Sequence, residues 1–210
     1  MGLPSSRRRL VAMLGALVAL LNGAACGRTA EPTAPPVDVG LTVSAQREAG
    51  ALRIEYKLVN RAGEELVAFT GIPARDTHEN PAVDPDAVYL TEGADGVVEI
   101  AKRVFPPPEG AGLAVDFVVR GSVVAPGNSV DEVVRVALPL RPRHPYDTEA
   151  RLPEPARRAV FCVGVARRSE VPPLPTASGD SGDTGVGAVY PHRAGIARVQ
   201  QMVCGEPFDL

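Results

Sequence analysis

The chain has 210 residues, and about 185 remain once a targeting segment of about 25 is set aside, which is enough for one domain and too few for two. Glycine and proline number 21 each, tryptophan is absent, and valine, alanine and leucine supply most of the apolar content, so the composition favours a turn-rich β domain and argues against long helices. The formal charge is -3, and it becomes about -6 without the three leader arginines. Because binding to nucleic acid needs clustered positive charge and the only lysines are Lys57 and Lys102, the composition argues against a nucleic-acid-binding protein.

The first 25 residues have the three parts of an export signal. A basic stretch ends in Arg7, Arg8 and Arg9, an apolar stretch covers residues 10–21, and small residues occupy positions 23–25. At 1.5 Å per residue the apolar stretch is about 18 Å long, well short of the roughly 30 Å hydrocarbon core of a bilayer. We therefore predict a cleaved signal peptide instead of a permanent spanning helix.

The basic stretch is compatible with two export routes. The segment Ser6-Arg7-Arg8-Arg9-Leu10-Val11 resembles the twin-arginine export motif, which implies export of a protein that has already folded. The alternative is an ordinary basic leader that contains a run of arginines. Neither route implies a cofactor, and we predict none.

The residue after the leader is Cys26, preceded by Gly23-Ala24-Ala25. A run of small residues that ends in cysteine resembles the lipobox of bacterial lipoproteins, although that family usually has leucine where this chain has Gly23. The resemblance covers only the leader and Cys26, and it implies that the Cys26 thiol is acylated and anchors the mature protein to a membrane. Gly27, in place of aspartate, then implies the outer membrane facing the periplasm in a diderm host, and the cell surface otherwise. The alternative is plain cleavage that leaves Cys26 free or buried.

Residues 26–37 are small, polar and rich in proline. Such a segment lacks the side chains of a core, and it predicts an extended tether with a reach of about 30 Å. The tether would hold the folded part, residues 38–210, clear of the lipid head groups.

Period-two alternation marks the clearest strand of the mature chain. Over residues 52–59, apolar residues at the even positions alternate with mostly polar ones at the odd positions, which places one face in a core and the other in solvent. Turn-forming residues separate further short apolar runs. Among the strands that these runs predict are residues 39–45, 66–70, 88–91, 97–105, 113–119, 122–124, 130–138, 159–166 and 196–204.

About eight short strands, turn signals at roughly ten-residue spacing and almost no helical periodicity predict an all-β fold. The favoured architecture is an antiparallel, immunoglobulin-like β-sandwich, with an open barrel or a transthyretin-like sandwich as alternatives. The stretch at 172–187 is rich in proline, glycine, serine and threonine, so we predict a flexible loop there.

One short motif points to catalysis. Gly179-Asp180-Ser181-Gly182 resembles the segment around the nucleophilic serine of chymotrypsin-like proteases. The match ends there, because that family continues with glycine and proline where this chain has Asp183 and Thr184. No Ala-Ala-His-Cys segment supplies a general base, so we interpret Ser181 as part of the flexible loop.

The histidines and the acidic loop do not have the spacing of a metal site. His78, His144 and His192 are far apart, and they are interpreted as ordinary loop histidines. Carboxylates cluster after the third strand and offer oxygen ligands for calcium, but their spacing matches no calcium loop and prolines interrupt it. These residues, Asp76, Glu79, Asp84 and Asp86, are predicted to line a solvated loop.

Cys162 and Cys204 remain once Cys26 is acylated, and both lie in apolar runs. Because disulfides persist in exported proteins, we predict a bond between these two cysteines, either within one sheet or across the sandwich. The alternative is two buried free thiols.

No catalytic, metal-binding or nucleotide-binding motif is evident, so we expect no enzyme activity. The leading hypothesis is a lipid-anchored binding or structural accessory module of the cell envelope that contacts another protein through loops or an edge strand. The alternatives are an envelope hydrolase whose site is assembled only in space and a protease inhibitor.

Overall fold

The computed structural model of the chain describes residues 35–73, 84, 86–110, 117–171 and 189–210, with only the backbone of Val189. These residues belong to one compact unit, Ala34–Leu210. The predicted signal peptide at 1–25, Cys26 and the predicted loop at 172–187 lie outside the described residues.

The folded unit begins earlier than the predicted boundary at residue 38. The carbonyl of Pro35 accepts hydrogen bonds from the side chains of Arg167 and Gln201, at 2.8 and 3.1 Å. Val37 packs against the core and donates its N–H to the Gln201 side chain. Contacts with the folded unit therefore reach Pro35, three residues before the predicted start of the folded part.

The described residues form eleven strands and one short α-helix. In chain order they are β1 (Val39–Glu48), β2 (Ala51–Asn60), β3 (Leu66–Gly71), β4 (Tyr89–Glu92), β5 (Val98–Lys102), β6 (Val118–Val124), β7 (Ser129–Ala137), β8 (Arg158–Arg167), β9 (Val189–Pro191), α1 (Ala194–Val199), β10 (Gln201–Cys204) and β11 (Phe208–Asp209). Within this part of the chain, no helix has the length and apolar character needed to cross a membrane.

The first sheet, sheet A, has three antiparallel strands in the order β1-β2-β7. The hairpin between β1 and β2 turns over two residues, and Gly50 takes a φ of 74° there, a left-handed conformation that glycine adopts without steric cost. The even-numbered residues of β2, from Leu52 to Leu58, are buried, as the alternation predicts.

The second sheet, sheet B, has the strand path β4-β5-β8-β3-β6-β9. Val165 of β8 pairs with both Ala68 of β3 and Gln201 of β10, so β10 lies on the edge of β8 opposite β3, and the short β11 follows it along that edge. The pair β5–β8 is parallel, whereas the other described pairs are antiparallel. The predicted all-β sandwich is confirmed, but a purely antiparallel one is not.

Two apolar cores flank sheet B. The larger core fills the space between the sheets and includes Ile54, Ile100 and Phe161. A second core lies on the outer face of sheet B, where Phe69 and Tyr190 pack edge to face with ring centroids 5.6 Å apart. β3 and most of β8 are therefore buried on both faces, which explains their nearly continuous apolar sequences.

Two predicted elements differ from the observed ones. Residues 118–124 form the single strand β6, where two strands were expected on either side of Arg120 and Gly121. The strand predicted over 196–204 begins only at Gln201, because Ala194–Val199 is helical. Ile196 and Val199 both pack on the second core from one side of this helix, and a run this short cannot reveal its period from sequence.

Candidate functional site

A groove of about 680 Å³ opens at one end of the sandwich. This volume is typical of ligand-binding sites, which measure about 300–1,000 Å³. Leucine side chains from distant parts of the chain form its floor, where the core between the sheets ends: Leu52, Leu138, Leu140, Leu152 and Leu210. Leu52 is buried and the other four are only half-buried, so the groove exposes apolar surface of the main core.

The wall of the groove is the connection between β7 and β8. Pro139, Pro142 and Pro153 line it, and proline has no N–H to offer a strand ladder. This connection therefore crosses the end of the sandwich instead of joining a sheet. The leucines between the prolines turn inward and pack on the core.

Charged side chains of both signs stand at the rim. Arg47 and Arg151 line the groove together with Glu154 and Asp209, and all four are exposed. The chain's own last residue forms part of the lining, since the N–H of Leu210 donates to the carbonyl of Arg157 at 3.0 Å and its side chain packs on the core.

The groove lies at the end of sheet A opposite to the point where the chain enters it. Val39 begins β1 and pairs with Asn60, whereas Arg47 pairs with Leu52 beside the groove. The eight steps from Val39 to Arg47 span about 27 Å of strand. The groove therefore lies at the end of sheet A that is remote from Val39.

A buried ion pair crosses the middle of the sandwich. Lys102 of β5 is fully buried, and its Nζ lies 2.8 Å from Oε2 of Glu132 on β7. The Tyr56 hydroxyl donates to the same oxygen at 2.5 Å, and burial first, then Glu132, raises the pKa of Tyr56. A substrate cannot reach a fully buried amine, so we assign this trio to the packing of sheet A on sheet B.

Two of the three histidines come together, which their sequence positions do not indicate. His192 lies in the loop after β9, as predicted, and is fully buried. Its Nδ1 accepts the Phe105 N–H at 3.2 Å, which places the proton of the neutral ring on Nε2, 3.5 Å from the Tyr89 hydroxyl. His144 packs edge to face on the same Phe105, with ring centroids 4.3 Å apart.

In the described structure, Nδ1 of each of these histidines accepts backbone N–H groups. Nδ1 of His144 accepts the N–H groups of Tyr146 and Asp147, at 3.1 and 2.9 Å, and so holds a turn. Neither His144 nor His192 lines the groove. His78 lies outside the described residues.

Within the described ranges, no three His, Cys, Asp or Glu side chains are placed to hold a metal ion. Asp84 accepts the N–H of Asp86 at 2.9 Å, and Asp86 accepts the N–H of Arg135 at 2.7 Å. Asp86 therefore caps the outer edge of β7 instead of lining a solvated loop. Asp76, Glu79 and Ser181 lie outside the described residues.

Cys162 and Cys204 are directly opposite each other on β8 and β10. Their sulfur atoms are 2.09 Å apart and their Cα atoms 4.1 Å apart. The flanking bond from the Gly205 N–H to the Phe161 carbonyl makes the cysteines a non-hydrogen-bonded pair, in which side chains approach most closely. Of the two arrangements left open by the sequence, the structure has the one within a single sheet.

No family model, no curated protein and no solved structure matches this chain.

Sequence reasoning missed the groove itself. The five floor leucines come from four separate stretches of the chain, and only their fold brings them together. One signal was present: Leu138-Pro139-Leu140 and Leu152-Pro153 place apolar residues in a segment that prolines exclude from the sheets. Apolar residues there must either cover a core or line a surface groove, and these do both.

Proposed function

We propose that this chain is a binding module of the cell envelope, anchored through a lipid on Cys26, that holds an extended apolar segment of another protein in the groove. The observation that carries the proposal is a leucine floor left half-covered beneath a rim of both charge signs. An anionic or cationic small ligand would favour a rim of one sign. A peptide carries its own mixture of charges and fits a mixed rim.

The apolar floor supports a peptide as the ligand. Leu210 is part of this floor, and its N–H already donates to the Arg157 carbonyl. A partner segment that lies alongside would place its own apolar side chains on the same floor. The position of the groove, at the far end from the entering tether, supports a partner that lies away from the module's own membrane anchor.

A hydrolase is less well supported. The described residues that line the groove include no serine, threonine, cysteine or histidine, so they supply neither a nucleophile of these types nor an imidazole base. The histidines that do converge are at another site, and one of them is fully buried.

The test is a selection from a displayed library of extended peptides against the compact unit 34–210, which contains both cores. Ala156 is exposed and lines the groove, so Ala156→Trp fills the groove without removing core atoms. Ala94 is equally exposed at the turn between β4 and β5, and Ala94→Trp is the matched control. We expect enriched peptides rich in leucine-like residues that bind the control and lose at least tenfold in affinity for Ala156→Trp. Peptides that bind both variants equally, or no enrichment, would contradict the proposal.

A further inference from the structure

The outer edge of β1 is exceptional among the sheet edges of the described structure. β1 is ten residues long and pairs with β2 without a bulge, and from Val39 to Gln46 it contains no charge and no proline. Proteins normally protect such edges with charges, prolines, bulges or a cover, because an unprotected edge pairs with another strand. A long, regular, uncharged edge is therefore a candidate site for strand addition.

The other edges in the described ranges carry such protection. β7 contains Asp131, Glu132 and Arg135, and the Asp86 side chain caps one of its outward N–H groups. β4 exchanges two backbone hydrogen bonds with Arg143 through Leu90. β9, β10 and β11 have four residues or fewer. The lack of protection is thus specific to β1.

The backbone groups along this edge point away from the sheet. The N–H of Arg61 donates to the carbonyl of Asp38, so the backbone N–H and C=O groups of the even-numbered residues of β1 point toward β2. The backbone groups of the odd-numbered residues point away from the sheet. At Val37 the Gln201 side chain takes the outward N–H. Beyond it, no described group bonds the outward N–H of Val39, Leu41, Val43 or Ala45.

The side chains of this edge are only partly covered, by the main core and, at Val43, by Gly205. The inward-facing Val39, Leu41, Val43 and Ala45 are only half-buried, whereas the corresponding residues of β2 are buried. A further strand in sheet A would supply the missing hydrogen bonds and cover this apolar stripe together. The unbonded backbone and the apolar stripe are separate observations, and both indicate an added strand.

We propose that two copies of this chain pair through β1, antiparallel about a two-fold axis, with Thr42 opposite Thr42 of the second copy. Outward backbone groups must meet each other, so odd residues must pair with odd residues. A two-fold axis at Thr42 places apolar opposite apolar along the inner face: Val39 with Ala45 and Leu41 with Val43.

Both neighbouring registers are less favourable. A two-fold axis at Leu41 would place Ala45 opposite Val37, whose outward N–H is already bonded to the Gln201 side chain. A two-fold axis at Val43 would place Asp38 opposite Glu48 and Val39 opposite Arg47, which sets like charges against each other and a charge against the apolar stripe. With the axis at Thr42, Asp38 is opposite Gln46 and two threonines pair, an arrangement that favours stability. We prefer a second copy to a foreign strand because, in this register, the apolar residues of the uncharged stretch of β1 pair with apolar residues of an identical strand.

Disulfide trapping in full-length protein, in the cells that export it, tests this pairing. Thr42 and Ser44 are both exposed on the outer face of β1. In the proposed register Thr42→Cys forms a non-hydrogen-bonded pair with its copy, at a Cα separation of about 4.5 Å that a disulfide can bridge. Ser44→Cys, the matched control, is displaced from its copy by four residues, or about 14 Å along the strand.

We expect a covalent dimer of Thr42→Cys under mild oxidation and at least tenfold less from Ser44→Cys. Val43→Pro, which removes an outward N–H and preserves those that face β2, should abolish the Thr42→Cys dimer while the thermal melt remains cooperative. Three results would overturn the proposal: a monomeric Thr42→Cys, equal crosslinking of both cysteine variants, or a crosslink to a different protein, which would make β1 an edge for foreign strands.

Discussion

Removing the bond between Cys162 and Cys204 should lower the free energy of unfolding by about 4 kcal/mol. The two cysteines are 42 residues apart in sequence, and in the chain-entropy model a closed loop of this size restricts the unfolded chain by that amount. This is a large fraction of the 5–15 kcal/mol typical of a domain. For a chain of this length it corresponds to a decrease in Tm of about 8–16 °C.

The assay is urea unfolding followed by circular dichroism, on Cys204→Ala, Cys162→Ala and the double variant. Either single substitution opens the same loop, so the three variants should lose similar free energy, apart from the small cavity left at buried Cys162. Thiol counting on the unreduced, unfolded wild type should give no reactive thiol from this pair. Additive losses in the double variant, or a loss below about 1 kcal/mol, would refute the reasoning.

The remaining predictions concern the buried ion pair and the anchor. Glu132→Ala removes the carboxylate that pairs with the fully buried Lys102 amine and should lower the free energy of unfolding in urea by about 3–5 kcal/mol, whereas Lys102→Met should lower it far less. The control is Asp131→Ala, an exposed neighbour, which should stay within about 0.5 kcal/mol of wild type. Equal losses from Glu132→Ala and Lys102→Met would contradict this prediction. Because burial raises the pKa of Tyr56 above its usual value of 10.0, its hydroxyl stays protonated in the folded state while the unfolded state ionises. The stability that the protonated hydroxyl contributes is therefore complete below about pH 10 and falls as the pH rises above that value. A titration of phenolate absorbance checks this prediction. Ionisation of all tyrosines near pH 10 in the folded protein would contradict it. Cys26→Ser should block processing and membrane partitioning in a detergent extraction, and continued cleavage with wild-type protein in the aqueous phase would show that no lipid is attached.

The sequence predicts an element well where its signal is local. β2 could be predicted because one face of it meets the core and the other meets solvent, and the same alternation is visible in its residues. α1 could not, since six residues hold fewer than two helical turns and its apolar positions suit a strand equally. The partner of Cys162 could be predicted because the proposed acylation of Cys26 would leave only Cys204.

The groove and the buried Lys102 are set by contacts between residues far apart in the chain. Lys102 reads as an ordinary charged residue at the end of β5, and only the position of Glu132 on the facing sheet explains its burial. The floor leucines are likewise separated by long stretches, from Leu52 to Leu210. Pattern reasoning detects periodicity within one segment and carries no information on which segments meet.

Photocrosslinking in living cells tests the proposed binding function most directly. A photoreactive amino acid is placed at Ala156 in the groove, or at Ala94 as the matched exposed control, in otherwise full-length protein. We predict one discrete adduct from position 156 only, with the crosslink mapped to an apolar, extended segment of a single envelope protein. No adduct at position 156, or the same adducts from both positions, would contradict the assignment of the groove as the binding site.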